Sequence, residues 1–297
     1  MRIRHKPVFH RTRITSYFIS FNLHTNTGKT GRCGVQFRVR WLQKKCRCVI
    51  QGKYMHLSIV IPVFEESKKI GTDIKMASTF LEKNHLTGEI IIVDDGSSDN
   101  TVHAAKNVDT PAGITLKVER YEHHKGKGHA IRTGIKQTSG KYVMFADSGS
   151  CVPYEDVLRG LKLLESGACN IAHGSRKLSE SQIKKTQSWY RRTCSAIFHR
   201  FVICFMKIPS ELTDTQCGFK IYKGDIARQL YAQCITEGFM FDVEIIMRAV
   251  KQGYRIKEFP IDWTCDRDSR LSPTHNLWNV LSELVTIKRA LKMKAHP

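Results

Sequence analysis

No stretch of this 297-residue chain runs to about eighteen uninterrupted apolar residues, the length a helix needs to cross a bilayer. No membrane-spanning helix is expected. A secretory signal is missing too: the short apolar stretch at residues 17–23 is broken by Ser20 and Asn22 and lacks a clean hydrophobic centre. The ten cysteines include no Cys-x-x-Cys pair, the closest two being Cys46 and Cys48. That spacing argues against a zinc site and for scattered reduced thiols in a cytosolic protein. Cys194, Cys204 and Cys217 read as small buried hydrophobes, and His123, His124, His129 and His173 fall into no metal-ligand spacing. Repeats and low-complexity linkers are absent.

Acidic residues are missing from residues 1–54, which hold 13 of the 48 Lys and Arg and none of the 27 Asp and Glu. The remainder carries 35 basic and 27 acidic residues, so its net charge is +8 against +21 for the chain. The body is therefore only moderately basic. With no interleaved aromatics and no recognised nucleic-acid fold, a nucleic-acid partner is not expected. The excess charge suits phosphorylated ligands or an anionic membrane surface. The leader reads either as a transit segment or as sequence ahead of a true start at Met55. On both readings residues 1–54 form a basic extension outside the fold, and residues 55–297 form the domain. At this length, a composition of 41% hydrophobic and 25% charged residues supports a sizeable core without disulfide staples.

From His56 onward the pattern is regular. Leu57–Val63 is a β-branched run ending at a proline turn and predicts a buried parallel strand. Residues 68–84 carry Ile70, Ile74, Met76, Ala77, Phe80 and Leu81 at helical spacing. Residues 89–94 predict a second buried strand running into Asp95-Gly96-Ser97-Ser98-Asp99, a turn suited to capping a helix that opens near Asn100. A third strand is expected over 115–120, a glycine loop at Lys125-Gly126-Lys127-Gly128, a helix over 129–137, and a fourth strand over 141–146 that delivers Asp147. Strand and helix alternate in the rhythm of an α/β fold with a mostly parallel, doubly wound sheet. Ligands of such sheets sit beyond the C-terminal strand ends, where Glu66, Asp94, Asp95 and Asp147 fall. The later half is less regular. It shows helical stretches at 189–208 and 276–294, with one strand expected over 255–263.

The segments Pro62-Val63-Phe64-Glu65-Glu66 and Val93-Asp94-Asp95-Gly96-Ser97-Ser98-Asp99-Asn100-Thr101 resemble the inverting family 2 glycosyltransferases of GT-A (Rossmann-like) fold. Asp214-Thr215-Gln216-Cys217-Gly218-Phe219-Lys220 and Phe241-Asp242-Val243-Glu244 narrow the likeness to the lipid-phosphate branch, the dolichyl-phosphate β-glucosyltransferases and their polyprenyl-phosphate relatives. Each motif alone is weak. Their order and spacing over about residues 56–290 are specific.

That resemblance implies a nucleotide-sugar donor, with UDP-glucose expected. Pro62, Phe64 and Glu66 would support the nucleoside, and either Asp94 or Asp95 would read the base. The plain alternative for the two aspartates is a turn and helix cap. Asp147 would ligate Mg²⁺ or Mn²⁺ on the diphosphate. The chain departs from the usual Asp-x-Asp here, since Asp147-Ser148-Gly149 places a glycine where the second carboxylate stands. Either Ser150 or a water completes the shell, or Lys127 carries part of the charge. Lys125, Lys127 and Arg132 flank the glycine loop, which lacks a P-loop ending. The loop either presents N–H groups and cations to phosphate or is a solvated basic loop.

On the acceptor side the resemblance points to Arg176, Arg191, Arg192, Ser195 and Lys220, with Arg267 and Arg270 in a basic loop after Trp263. The acceptor it implies is a polyprenyl or dolichyl phosphate, which is largely ionised at neutral pH and needs no strong general base. Asp214 then orients sugar or acceptor, serves as a base if the acceptor is a hydroxyl, or is a turn residue. The two amphipathic stretches, 189–208 and 276–294, either lie in a membrane interface or pack into the core. The expected location is cytoplasmic, peripheral at the cytoplasmic face of a membrane. Two alternatives stand beside this reading: transfer to a saccharide or lipid hydroxyl, and a nucleotide-sugar-binding protein weakened in catalysis by Gly149.

Overall fold

The computed structural model describes residues 55–185, 189–264 and 277–293; the side chains at 185, 189–192, 194, 195, 277 and 293 lie outside that description, as do the basic leader 1–54, Arg267 and Arg270. The expected rhythm is there: β1 (Leu57–Val63), α1 (Ile70–Lys83), β2 (Gly88–Asp94), α2 (Thr101–Lys106), β3 (Ile114–Arg120), α3 (Lys127–Lys136) and β4 (Tyr142–Ala146). Every residue of β1 and β2 is buried, as unbroken apolar runs in a covered parallel sheet should be. The second half continues with α4 (Val157–Glu165), β5 (Ile171–Ser175), β6 (Gln182–Lys185), α5 (Trp189–Met206), β7 (Phe219–Lys223), α6 (Gly224–Ala232), α7 (Phe241–Lys251), β8 (Ile256–Pro260), β9 (Asp262–Thr264) and α8 (Leu277–Met293).

Seven strands form one sheet in the order β3-β2-β1-β4-β7-β5-β8. All neighbours run parallel except β7, which is antiparallel to both β4 and β5. This one reversal matters for the site. It brings the start of β7 to the edge where β1, β2, β4 and β5 end, with Ala146 opposite Phe219. The single strand expected over 255–263 is two: β8 closes the large sheet, and after Ile261 the chain turns so that β9 pairs with β6 in a separate two-stranded sheet.

Side chains alternate between the two faces of the sheet. Leu57, Ile59, Ile61, Ile90 and Ile92 pack with Ile74, Phe80 and Leu81 of α1 and with Val157 and Leu161 of α4. Val60, Ile91, Val93 and Phe145 pack on the opposite face with Ile131 of α3, Leu230 of α6 and Phe241 of α7. A third cluster joins α5, α7 and α8 through Val202, Met206, Val243, Ile246, Leu284 and Ile287. The core-facing half of each late amphipathic helix is thereby settled. Their other faces carry Ile197, Phe201 and Trp278, which are 67%, 41% and 84% exposed.

Helix α3 approaches the sheet closely because Gly134 has no side chain. A Cβ there would collide with Val60 and lie 2.8 Å from Val93 Cγ2. Alanine is the better helix former by about 1 kcal/mol, but overpacking a tight interface costs roughly 1–3 kcal/mol, and the steric term should win. Gly134→Ala is expected to lower the urea midpoint of unfolding; an unchanged or higher midpoint would show that α3 shifts freely.

Candidate active site

The edge formed by the C-terminal ends of β1, β2, β4 and β5 and by the start of β7 gathers most of the expected residues. Asp94 ends β2, fully buried. Its Oδ2 accepts the Ser97 N–H at 3.2 Å and faces Arg120 Nε at 3.5 Å, while its Oδ1 has no hydrogen-bond partner. Asp95 differs sharply. Its carboxylate accepts the backbone N–H groups of Lys125 (2.8 Å) and Gly126 (2.9 Å) and meets His124 Nδ1 at 2.9 Å. Asp95 is thus committed to holding the glycine loop, and Asp94 alone keeps an open oxygen. Pro62 is buried in β1 opposite Val93. Phe64 lies just beyond that strand with its ring 4.4 Å from that of His124.

The β2–α2 turn stitches the end of β1 in place. Ser97 Oγ accepts the Glu65 N–H at 2.7 Å, and Thr101 Oγ1 accepts that of Glu66 at 2.8 Å. The Glu66 carboxylate faces Lys69 Nζ at 3.8 Å. The expected cap at α2 comes from Asp99, whose Oδ1 accepts the Thr101 N–H at 3.0 Å.

Four amides in and beside the glycine loop are taken up within the protein. Besides the two N–H groups held by Asp95, Gly128 N–H donates to Gly238 O (3.2 Å) and His129 N–H to Glu237 O (3.1 Å). Gly126, at φ +111°, sits so close to Glu237 that a Cβ would lie 2.6 Å from its carbonyl oxygen. Only glycine takes that backbone angle without strain. Arg132 is spent on the same neighbour segment, donating to Cys234 O at 2.9 Å and Glu237 Oε1 at 3.2 Å. Lys125 lies over the Tyr121 ring. Of the two alternatives for this loop, the amides of Lys125, Gly126, Gly128 and His129 are taken up within the protein, and the Lys127 ammonium stands at the Asp147 edge.

Lys127 Nζ lies 2.6 Å from Asp147 Oδ1. Burial works against the lysine charge, but Asp147 and Asp242 outweigh it and hold its pKa above the ordinary value. Asp242, at the start of α7, is buried and bonds Lys220 Nζ at 2.7 Å. Its pKa is raised, burial prevailing over the two lysines. Lys220 Nζ also donates to Thr215 O (3.1 Å) and Cys217 O (2.8 Å). The result is an alternating row, Asp147, Lys127, Asp242, Lys220, whose first two members are half-buried and whose last two are buried. Cys217 is packed among these charges, and burial, with Asp214 next in effect, pushes its thiol up to about 12. Nothing in the composition singled out Asp242; the Phe241-Asp242 motif was its only signal.

Asp147 continues into Ser148-Gly149-Ser150, and this turn is pinned by a residue outside every motif. Asp73 of α1, buried, accepts the Gly149 N–H at 2.8 Å and the Ser150 hydroxyl. Gly149 has φ +89°. Among the described residues no group of three His, Cys, Asp or Glu is placed to hold a metal ion.

Arg176, following β5, forms a two-pronged pair with Asp214: Nε to Oδ2 and one terminal nitrogen to Oδ1, both 2.7 Å, with the Arg176 N–H also on Oδ2 at 3.0 Å. The guanidinium lies 5.4 Å from the centre of the Trp263 ring. Glu258 of β8 braces the pair from behind, accepting the Asp214 N–H at 2.7 Å and the Thr213 hydroxyl at 2.6 Å. Burial alone would raise the Asp214 carboxyl; the Arg176 pairing overrides it and brings the pKa to about 2. Asp147, paired with Lys127, also lies within electrostatic reach of Arg176. Arg191, Arg192 and Ser195 lie on α5, and their side chains fall outside the described residues.

With this geometry in view, the comparisons with known proteins are direct. Residues 58–230 match the profile of Glycosyl transferase family 2. The chain is 32% identical over 253 residues to the dolichyl-phosphate beta-glucosyltransferase of Saccharomyces cerevisiae, covering 79% of this chain and 74% of that one. It is 30% identical to the human protein of the same name, covering 78% and 74%. The fold is shared with glucosyl-3-phosphoglycerate synthase of Mycobacterium tuberculosis, solved with Mn²⁺, UDP and glucosyl-3-phosphoglycerate, at TM-score 0.56 and 15% identity over 80% of this chain and 78% of that one. Mannosyl-3-phosphoglycerate synthase of Rubrobacter xylanophilus aligns at TM-score 0.53 and 15% identity, over 81% and 74%. The fold is that of a GT-A glycosyltransferase. The chain belongs to Glycosyl transferase family 2 and is a transferase enzyme.

The depressed Asp214 pKa has a signed consequence for stability. Its unfolded value is about 3.9, so the pair stabilises the fold fully above that pH and loses its contribution as pH falls toward 2, a term of roughly 2 kcal/mol. Asp214→Asn should remove this acid-limb dependence and, by leaving Arg176 without a counter-ion, cost roughly 3 kcal/mol at neutral pH. Urea unfolding from pH 5 to pH 2 reads both; an unaltered acid limb in the variant would show that the pair is not formed.

Proposed function

We propose that this enzyme transfers glucose from UDP-glucose to a dolichyl or polyprenyl phosphate with inversion, in a single domain spanning residues 55–297. The observation that carries the acceptor class is the Arg176–Asp214 pair. A carboxyl with a pKa of about 2, gripped at both oxygens by a guanidinium, is a poor general base at neutral pH. A hydroxyl acceptor needs one. A phosphate monoester does not, because its second pKa is near ~6 and its oxygen is already ionised. Asp214 instead sets the angle of Arg176, whose planar fork suits a phosphate. The names borne by the yeast and human relatives support the same acceptor and, for the sugar, glucose.

In this reading Asp94 accepts from the base through its unpartnered Oδ1, with Phe64 and Glu66 beside the nucleoside. Asp95 acts through the glycine loop. Lys127 faces the diphosphate beside Asp147. Lys220, held by Asp242 and two backbone carbonyls, is a positioning residue. Arg191, Arg192 and Ser195 keep their assignment to the acceptor from the family likeness.

The acceptor's lipid tail requires a membrane surface. No described helix is long and apolar enough to cross one. The exposed Ile197 and Phe201 of α5 and Trp278 of α8, with Arg200, Arg289 and Lys292 on the same helices, suit a peripheral contact with anionic headgroups. The free thiols of Cys151, Cys169, Cys204, Cys217 and Cys234 support a reducing, cytoplasmic side.

The deciding assay gives the full chain radiolabelled UDP-glucose and a short polyprenyl phosphate. A lipid-linked glucose is expected; transfer only to a saccharide or lipid hydroxyl would overturn the acceptor class. In vesicle flotation, Ile197→Ser combined with Phe201→Ser and Trp278→Ser should cut association with anionic liposomes several-fold while leaving UDP affinity unchanged. Equal flotation of wild type and triple variant would remove these helices from the membrane contact.

A further inference from the structure

The family likeness calls for a divalent ion between Asp147 and the donor diphosphate, and the side chains that stand there do not fit one. Asp147 is a single carboxylate with an ammonium 2.6 Å from one of its oxygens. At the position of the second carboxylate Gly149 has no side chain to ligate, and its N–H is turned onto Asp73. The Ser150 hydroxyl is bonded to Asp73 as well, and the Asp73 carboxylate is occupied by these two bonds. A divalent ion brought to Asp147 would meet the Lys127 ammonium at close range, where like charges repel strongly at low dielectric.

The Lys127 backbone is, by contrast, held from both sides, and its ammonium is paired with Asp147. Asp95 fixes the two preceding amides, and the 236–238 segment fixes the two following ones. Asp242 backs its charge and is in turn backed by Lys220. The 236–238 segment is itself clamped twice. Glu244 of α7 accepts from Ile235 and Thr236 amides, and Glu283 of α8 accepts from those of Gly238 (3.0 Å) and Met240 (3.1 Å). Such immobilisation of one cation at a strand-end site is what electrostatic stabilisation of a leaving group requires.

We infer that Lys127 takes the place of the metal ion, bridging Asp147 and the donor diphosphate, and that this enzyme transfers its sugar without a divalent cation. An ammonium has three donors; one lies on Asp147, and the diphosphate oxygens take up the rest. In the step, an acceptor oxygen forms a bond to the anomeric carbon while the bond from that carbon to the β-phosphate oxygen breaks. The bonding pair leaves on the diphosphate, where Lys127 donates hydrogen bonds to the new charge. No proton changes hands. The inference rests on the proposed function for the nucleotide-sugar donor only; the acceptor does not enter it, because a nucleoside diphosphate leaves in either case.

The test reads donor binding and transfer separately, on the full chain. By calorimetry, UDP should bind in EDTA within about threefold of its affinity in Mn²⁺, and titration of Mn²⁺ followed by electron paramagnetic resonance should show no ion held with UDP. Transfer to polyprenyl phosphate should persist in EDTA. Lys127→Met should weaken UDP binding at least tenfold and slow transfer by about 10²–10³, the loss typical of one preorganised donor; Lys127→Arg should keep part of both. Melting curves confirm that each variant folds, and the wild-type metal titrations need no variant. A tenfold or greater gain in UDP affinity on adding Mn²⁺, a bound-ion signal, or transfer abolished by EDTA and restored by Mn²⁺ would overturn the inference. Metal-free UDP binding that depends on Lys127, but without any lipid-linked sugar, would sustain Lys127 in the metal's place and sink the acceptor assignment instead.

Discussion

Asp147, Lys127, Asp242 and Lys220 form an alternating row whose inner pair, Asp242 and Lys220, is buried, and each of those two charges is tolerable only because its neighbour is in place. A lone buried ion is very costly, and pairing offsets that cost only when geometry is close and the remaining donors are satisfied. Lys220 meets that condition completely, through Asp242 and two backbone carbonyls. The row ends at Asp147, beside the ligand edge, so its interior links hold the outermost pair in position. Distant parts of the chain, α3, β4, β7 and α7, are obliged to converge for the row to exist.

Three features of the architecture serve that convergence. The reversal of β7 brings Lys220 and the Asp214–Gly218 turn to the same edge as Asp147. The absence of a side chain at Gly218 leaves room for the Asp147 carboxylate, which would collide with any Cβ there. The paired clamps Glu244 and Glu283 hold the segment on which the glycine loop rests. Glu283 has a further implication, since α8 also carries the exposed Trp278. The helix proposed to touch lipid is one hydrogen bond removed from the backbone that steadies Lys127.

Arg176 and Asp214 form a second, separate unit, braced by Glu258 and covered by Trp263. Its logic is the opposite of acid–base catalysis: the carboxylate is kept ionised and engaged so that the guanidinium stays aimed. On the proposed reading, the cations Lys127 and Arg176 suit a reaction in which both partners are phosphates and charge management, rather than proton transfer, sets the barrier.

Much of this was legible from residues alone. The strands β1, β2 and β4 announce themselves because a sheet covered on both faces demands unbroken apolar runs, and their ends therefore locate Asp94, Asp95 and Asp147. The glycine turn after β2 follows from local chemistry. Other points depend on what lies across space. Asp94 and Asp95 are indistinguishable in sequence, and only the partners Lys125 and Gly126 reveal that the second is committed to a loop. Lys220 reads as a ligand-binding cation until Asp242 is found beneath it. Asp73, in the middle of an ordinary amphipathic helix, carries no local sign that it anchors the Gly149 turn. The division of residues 255–263 into two strands depends on a change of sheet that no periodicity records. The sequence by itself determined the order of elements and the chemistry at each strand end, because burial pattern and turn preference act over a few neighbouring residues. Which carboxylates stay open and which are spent on the fold was decided by tertiary structure alone, because hydrogen-bond partners some 20 to 100 residues apart share no local pattern.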